Sequence, residues 1–240
     1  MARSLLPREH GSYFQLAIPL VGVWVRIGAS ATAAALTIAA VGAFLALEPL
    51  SVAIGGRGAR IRASEGPRAR LRFVALAIPA LACGAFGLAR APAATLIVAA
   101  ALALVTLGVI VLVARRTVHT LSGELLAMIG LTGASAVVAT ASGVALVPAL
   151  ERWGAWALGF GATMIAIHQL FERRTRKAPT INPVVVALVV IAAVVPATHA
   201  ALPLTIAAVV IAGIAPSLRQ IRMVGIAIAV VALTSALLPW

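Results

Sequence analysis

The sequence predicts an all-α, polytopic membrane protein, a single domain over residues 1–240 built as a bundle of about nine transmembrane helices. Three observations carry that prediction. The 240-residue chain is 62% hydrophobic and only 10% charged, with mean hydropathy +1.11, whereas a soluble domain carries about a quarter charged residues. Apolar runs close to the roughly 20 residues that cross a bilayer recur along the whole length and leave no stretch for a separate soluble domain. The basic residues fall in a one-sided pattern that tests the count independently.

Charge, glycine and proline interrupt the apolar runs and place helices near 14–29, 31–53, 71–89, 93–114, 121–142, 152–171, 182–198, 201–215 and 223–239. The first follows a basic start, Arg3 and Arg8, without a short apolar core and small-residue cleavage site, so it is expected to stay in the mature chain. The second closes at Glu48-Pro49, before Gly55-Gly56-Arg57-Gly58 and a basic loop over 55–70. The third and fourth are almost wholly apolar, and the fourth ends at Arg115-Arg116. Small residues recur in the fifth and sixth (Gly130, Gly133, Ala134; Gly154, Gly159, Gly161), the pattern expected where backbones touch in lipid. A second basic loop, 172–181, follows the sixth. The seventh and eighth are separated only by Thr198, His199 and Ala200 up to Pro203. Were those two a single broken or re-entrant segment, the count would fall and the C-terminus would change sides.

Cytoplasmic loops retain Lys and Arg while translocated loops avoid them. With the N-terminus inside, nine crossings put sixteen of the nineteen basic residues on the cytoplasmic side and leave out only Arg26, Arg90 and Arg152. The expected location is therefore the cytoplasmic membrane, with the C-terminus outside. Trp153, Trp156 and Trp240 then belong to the outer interface. The formal net charge of +13, with six Glu and no Asp, reads as a basic rim facing anionic lipid headgroups rather than nucleic acid. Cys83 is the only cysteine, which excludes an intrachain disulfide and a thiolate metal cluster and leaves a packing role.

Charged and imidazole groups inside apolar helices cost a few kcal/mol each, so they face the bundle interior, water or a partner. Here they gather at one end. Arg8, Glu9 and His10 lead into the first helix, Glu48 closes the second, His119 and Glu124 open the fifth, and His168 and Glu172 close the sixth. His168 and Glu172, four apart, share a helical face; they are either a proton relay or half-built metal site, or a solvated helix end. Glu124 shares a face with Thr120 and Arg116, so it either pairs with Arg116 or lines a cavity. The glycine-rich, arginine-rich stretch around Arg57 either cradles a phosphate or diphosphate or anchors the chain on headgroups. No metal-ligand spacing and no nucleophile elbow occurs, and the sequence assigns no cofactor.

The opening Leu6-Pro7-Arg8-Glu9-His10-Gly11-Ser12-Tyr13, with Pro19 inside the helix, resembles the P-[RK]-E-H-G signature of YwiC-like membrane proteins. Glu48-Pro49-Leu50 and His119-Thr120-Leu121-Ser122-Gly123-Glu124 after paired arginines fit the same family, although no acidic residue follows Gly225 in the last helix. That family is distantly similar to UbiA-type prenyltransferases. The likeness implies a nine-helix bundle whose cytoplasmic loops cap a lipid-accessible cavity. UbiA enzymes hold magnesium diphosphate through two aspartate-rich motifs, and this chain offers only Glu48 and Glu172 at those places, too few carboxylates for a hard cation bridging diphosphate. Magnesium-dependent prenyl transfer is not expected.

The expected function is binding or handling of an amphipathic ligand, a lipid, quinone or isoprenoid. In this reading Arg8, Arg57 and Arg116 attract an anionic headgroup, Glu9, His10, Glu48, Glu124 and His168 set proton balance, and the tail lies between helices. The alternatives are a proton-coupled transporter and a structural subunit of a membrane complex. Protein partners are left open.

Overall fold

A computed structural model of the protein describes residues 5–6, 10–28, 30–175, 183–214 and 221–236. Among the described residues it is all helical: α1 (His10–Ile27), α2 (Ala31–Ile54), α3 (Ala59–Ala89), α4 (Ala93–Ala114), α5 (Leu121–Ala141), α6 (Leu146–Thr175), α7 (Pro183–Val194), α8 (Leu202–Ile214) and α9 (Ile221–Ala236), with a 3-10 turn over Pro196–Ala201. Helices α2 to α5 are each long and apolar enough to cross a membrane. With the apolar helices around them they make the chain a multi-pass membrane protein.

Local chemistry sets the helix ends. Ser30 caps α2, its hydroxyl accepting from the Ala33 amide at 3.0 Å, and Thr120 caps α5 by accepting from Gly123 at 3.3 Å. Helix α5 is the central element, packed against α1, α2, α4 and α6, and every residue from Thr132 to Thr140 is buried. The hydroxyls there do not interrupt it. Thr132 and Thr140 each donate to the carbonyl four residues back, and Ser135 to the one three back. Close approach depends on two of the glycines singled out above. A Cβ on Gly133 would sit 2.9 Å from the Trp153 ring, and one on Gly159 2.8 Å from Leu204.

The helices alternate in direction. Val185 at the start of α7 packs with Ala208 and Ala212 of α8 and with Ala162 and Ala166 of α6, whereas Ala192 at the end of α7 packs with Ala201 and Ala155. Helices α7 and α8 therefore form an antiparallel hairpin, not one broken segment. At 12 and 13 residues each rises roughly 18–20 Å, short of the ~30 Å hydrocarbon core. The end of α9 lies beside Gly22 of α1, since a Cβ there would stand 3.3 Å from Ala236 Cβ. The chain thus begins and ends its described helices at opposite ends of the bundle.

Two local expectations change. Helix α3 begins at Ala59 rather than 71, so the stretch expected as a basic loop over 55–70 is a short turn followed by helix. Gly66-Pro67 reads as a breaker, but the surrounding Ala and Arg residues are strong helix formers. At 31 residues α3 is roughly 46 Å long, long enough for its arginine-bearing turns to extend beyond the hydrocarbon. The second basic loop falls largely outside the described residues; its first positions, 172–175, are the last turn of α6.

The second change concerns the outer-interface residues. Helix α6 starts at Leu146, placing Arg152 inside it and only 6% exposed. Trp156 is buried and stacks on Phe160, with ring centroids 5.8 Å apart. Trp153 donates its indole N–H to the Ile129 carbonyl at 3.1 Å. Trp153 packs over Gly133 of α5, and Trp156 packs among Met128 of α5, Phe160 of α6 and Ala232 and Ala236 of α9. Trp240 lies outside the described residues.

Candidate functional site

One end of the bundle collects the start of α1, the α2–α3 turn and the α4–α5 turn. An apolar cavity of about 210 Å³ opens there between α1, α2, α4 and α5. Its walls are Leu16, Phe44, Leu47, Leu102, Val109 and Leu131, with small residues of α2 and α5 making the space. Tyr13 of α1 meets Phe44 of α2 edge to face at 5.0 Å and fixes one wall.

The charged and imidazole residues lining this cavity form one group. Glu48, in the last turns of α2, is only 8% exposed. It is held by a two-point fork: Arg57 Nε donates to Oε1 at 3.1 Å and Nη2 to Oε2 at 2.7 Å. The turn that carries Arg57 back over Glu48 is made by Gly55, whose φ of 86° is the left-handed conformation glycine tolerates. Arg57 Nη1 lies 3.3 Å from His119 Nε2. A guanidinium can only donate, so in a hydrogen bond between them the imidazole nitrogen is the accepting side. Glu48 and Arg57, nine residues apart, are joined by His119, 62 residues beyond Arg57, at the rim of an apolar slot. Ser12 and Ser51 also line it.

The other residues singled out in the sequence are placed elsewhere. Arg116 lines a second, basic cleft with Arg62 and Arg70. Glu124 is half-buried in the first turn of α5 and does not line either cavity. His168 Nε2 stands 3.9 Å from Glu172 Oε1 across one turn of α6, with both side chains substantially exposed. Arg8 and Glu9 lie outside the described residues; His10 is the first residue of α1, and its side chain is outside them too. Among the described residues no three His, Cys, Asp or Glu side chains gather as they would around a metal.

Sequence reasoning missed Ser12, Ser51 and Thr106 as cavity residues, because hydroxyls in apolar helices are common and carry no spacing signal. It also missed Arg62 and Arg70 as partners of Arg116. They were visible only as members of an arginine run.

The model of the family described as YwiC-like protein matches residues 6–141, more than half of the chain. The matched segment contains α1 to α5 and every residue lining the two cavities. No curated protein and no solved structure matches the chain.

Proposed function

We propose a function for this chain, which belongs to the YwiC-like protein family and crosses the membrane as a helical bundle: it binds an amphipathic ligand of the quinone or isoprenoid type. The polar end meets the Glu48–Arg57–His119 group, and the hydrocarbon enters the slot between α1, α2, α4 and α5. The arginine-rich end is taken as cytoplasmic, because positive residues are retained on that side. The expected kinship to UbiA-type bundles belongs to the same reading, without the aspartates that would bind magnesium diphosphate.

The single observation that carries the proposal is a buried, forked ion pair at the rim of an otherwise apolar cavity. A buried, forked carboxylate at the mouth of an apolar slot offers a ligand head fixed hydrogen-bonding partners in a low-dielectric setting, the arrangement expected of a small-molecule site. Within the group the carboxylate and the guanidinium cancel, which favours a neutral hydrogen-bonding head, such as a quinone carbonyl or a prenol hydroxyl, over a diphosphate. This narrows the expectation that Arg57 attracts an anion, because Glu48 already occupies its fork. The volume is below the roughly 300–1,000 Å³ usual for drug-sized ligands. It suits a headgroup and the first part of a chain whose remainder lies in lipid.

The test is lipid analysis of protein purified in mild detergent. One amphiphile should co-purify in near-stoichiometric amount with the wild type and fall at least several-fold in Glu48→Gln. Recovery of bulk membrane lipids alone, with identical profiles for both proteins, would sink the proposal. Substrate flux in liposomes abolished by Glu124→Gln would favour the transporter instead.

A further inference from the structure

We propose that the basic cleft beside this cavity is a second site, one that binds a phosphoryl anion. The cleft has a volume of about 420 Å³ and is lined by Arg62, Arg70 and Arg116 together with Gly55, Ala59 and Pro67. It shares no lining residue with the apolar cavity and does not rest on the amphiphile reading.

Its three arginines come from two separate turns. Ala59, Ala63, Pro67 and Arg70 follow one another at steps of three and four, and with Arg62 they present one face of α3 to the cleft. Arg116 reaches it from the end of α4. Among the described residues no carboxylate pairs with any of the three. The only acidic residue between Glu48 and Glu124 is Glu65, and it is held by Arg68 at 3.5 Å. The three guanidiniums are solvent-exposed around one concavity, and their planar forks match phosphate oxygens. The first turn of α3 adds to this. Its N-cap, Gly58, provides no side-chain cap, so the amide end of the helix dipole faces the same region at Ala59.

The backbone of Arg116 is the second, independent observation. Helix α4 ends with Arg116 N–H donating to the Val113 carbonyl and Thr117 N–H to Leu112, a Schellman cap. Helix α2 ends in the same motif, Gly55 N–H to Val52 and Gly56 N–H to Ser51. The left-handed position of that motif is Gly55 in α2, with φ 86°, and Arg116 in α4, with φ 60°. Arg116 is the only positive-φ residue besides glycine among the described residues. An arginine accepts steric strain where glycine would not, and strain retained at one position marks a site whose side chain is needed there.

The phosphoryl group has two possible sources, an anionic lipid headgroup and a soluble phosphate compound. The experiment has an arm for each. The full chain in neutral detergent is titrated with inorganic phosphate and with pyrophosphate against chloride at equal ionic strength. In parallel it is placed in phosphatidylcholine bilayers with and without phosphatidylglycerol, and Tm is read in all cases. Phosphate or pyrophosphate raising Tm identifies the soluble source; phosphatidylglycerol alone raising it identifies the headgroup. In either case Arg62→Gln/Arg116→Gln should weaken the response about tenfold or more, while the charge-matched Arg60→Gln/Arg72→Gln retains it. Arg116→Gly should raise the basal Tm by relieving the strain and still lose the anion response, an outcome that a structural role for this arginine does not give. Glu48→Gln should leave the response intact, separating this site from the amphiphile cavity. No response to any anion, or equal loss in both double variants, overturns the proposal.

Discussion

Arg57 and Arg152 sit at opposite ends of one apolar bundle, and the difference between them separates a candidate site from a structural tie. Arg57 lies in a glycine-made turn, partly open, with its fork on a buried carboxylate beside a cavity. Arg152 lies within α6, buried, donating from Nη2 to the Ser235 carbonyl at 2.6 Å near the end of α9 and facing the Trp156 ring at 5.4 Å. That carbonyl is among the last four of α9, which lack an intrahelical donor. Arg152 thus caps a helix belonging to another part of the chain, and neither cavity lies beside it. A charge within an apolar bundle is therefore not in itself a functional signal. What distinguishes Arg57 is that its pairing forms the polar rim of an apolar cavity.

Removing Arg152 gives the largest expected loss, and it should appear in stability alone. Arg152→Met should cost about 2–3 kcal/mol, the value of a charge-assisted hydrogen bond whose acceptor is left buried, read as a lower Tm in detergent. Any bound amphiphile should persist in the folded fraction. If the ligand were lost while Tm stayed unchanged, the two arginines would have exchanged roles. Glu48→Gln comes next and should do the reverse. It breaks the fork and should lower ligand occupancy about tenfold, equivalent to about 1.4 kcal/mol, while Tm falls less than in Arg152→Met because Arg57 retains access to water.

Much of this contrast was written in the chain, and the missing part was missing for a physical reason. Apolar run length and the placement of arginine fixed the all-helical bundle and most helix limits, since both follow directly from the cost of burying charge and open backbone in lipid. Glu48, Arg57 and His119 could each be picked out as polar residues at helix ends. Their convergence could not, because it depends on the Gly55 turn folding Arg57 back over α2 and on how α4 and α5 pack. Arg116 was read alongside Arg57 for the same reason: one-dimensional proximity to a helix end does not say into which cavity a side chain turns. Arg152 misled in the opposite direction. The hydropathy pattern puts it at the outer edge, as the first residue of a helix over 152–171, although Pro148 marks the true start of α6 just as well.

His119→Ala tests the exposed edge of the group and should have a smaller effect. It removes one acceptor from Arg57 but leaves the two bonds to Glu48, so occupancy should fall about threefold, close to the value of one ordinary hydrogen bond, with no measurable change in Tm. A loss as large as that of Glu48→Gln would mean that the imidazole contacts the ligand directly.

His168→Ala provides the lower bound of the series. Its partner Glu172 is 61% exposed across a 3.9 Å gap, a geometry in which solvent screens nearly all of the attraction. Stability should stay within about 0.5 kcal/mol of wild type, and ligand occupancy should not move. A change in occupancy with pH that His168→Ala abolishes would show that the far end of α6 communicates with the cavity through α5, and would extend the functional region beyond the segment from α1 to α5. An unchanged profile would leave the pair as a solvated helix end and confine the binding chemistry to the half of the molecule that holds Glu48, Arg57 and His119.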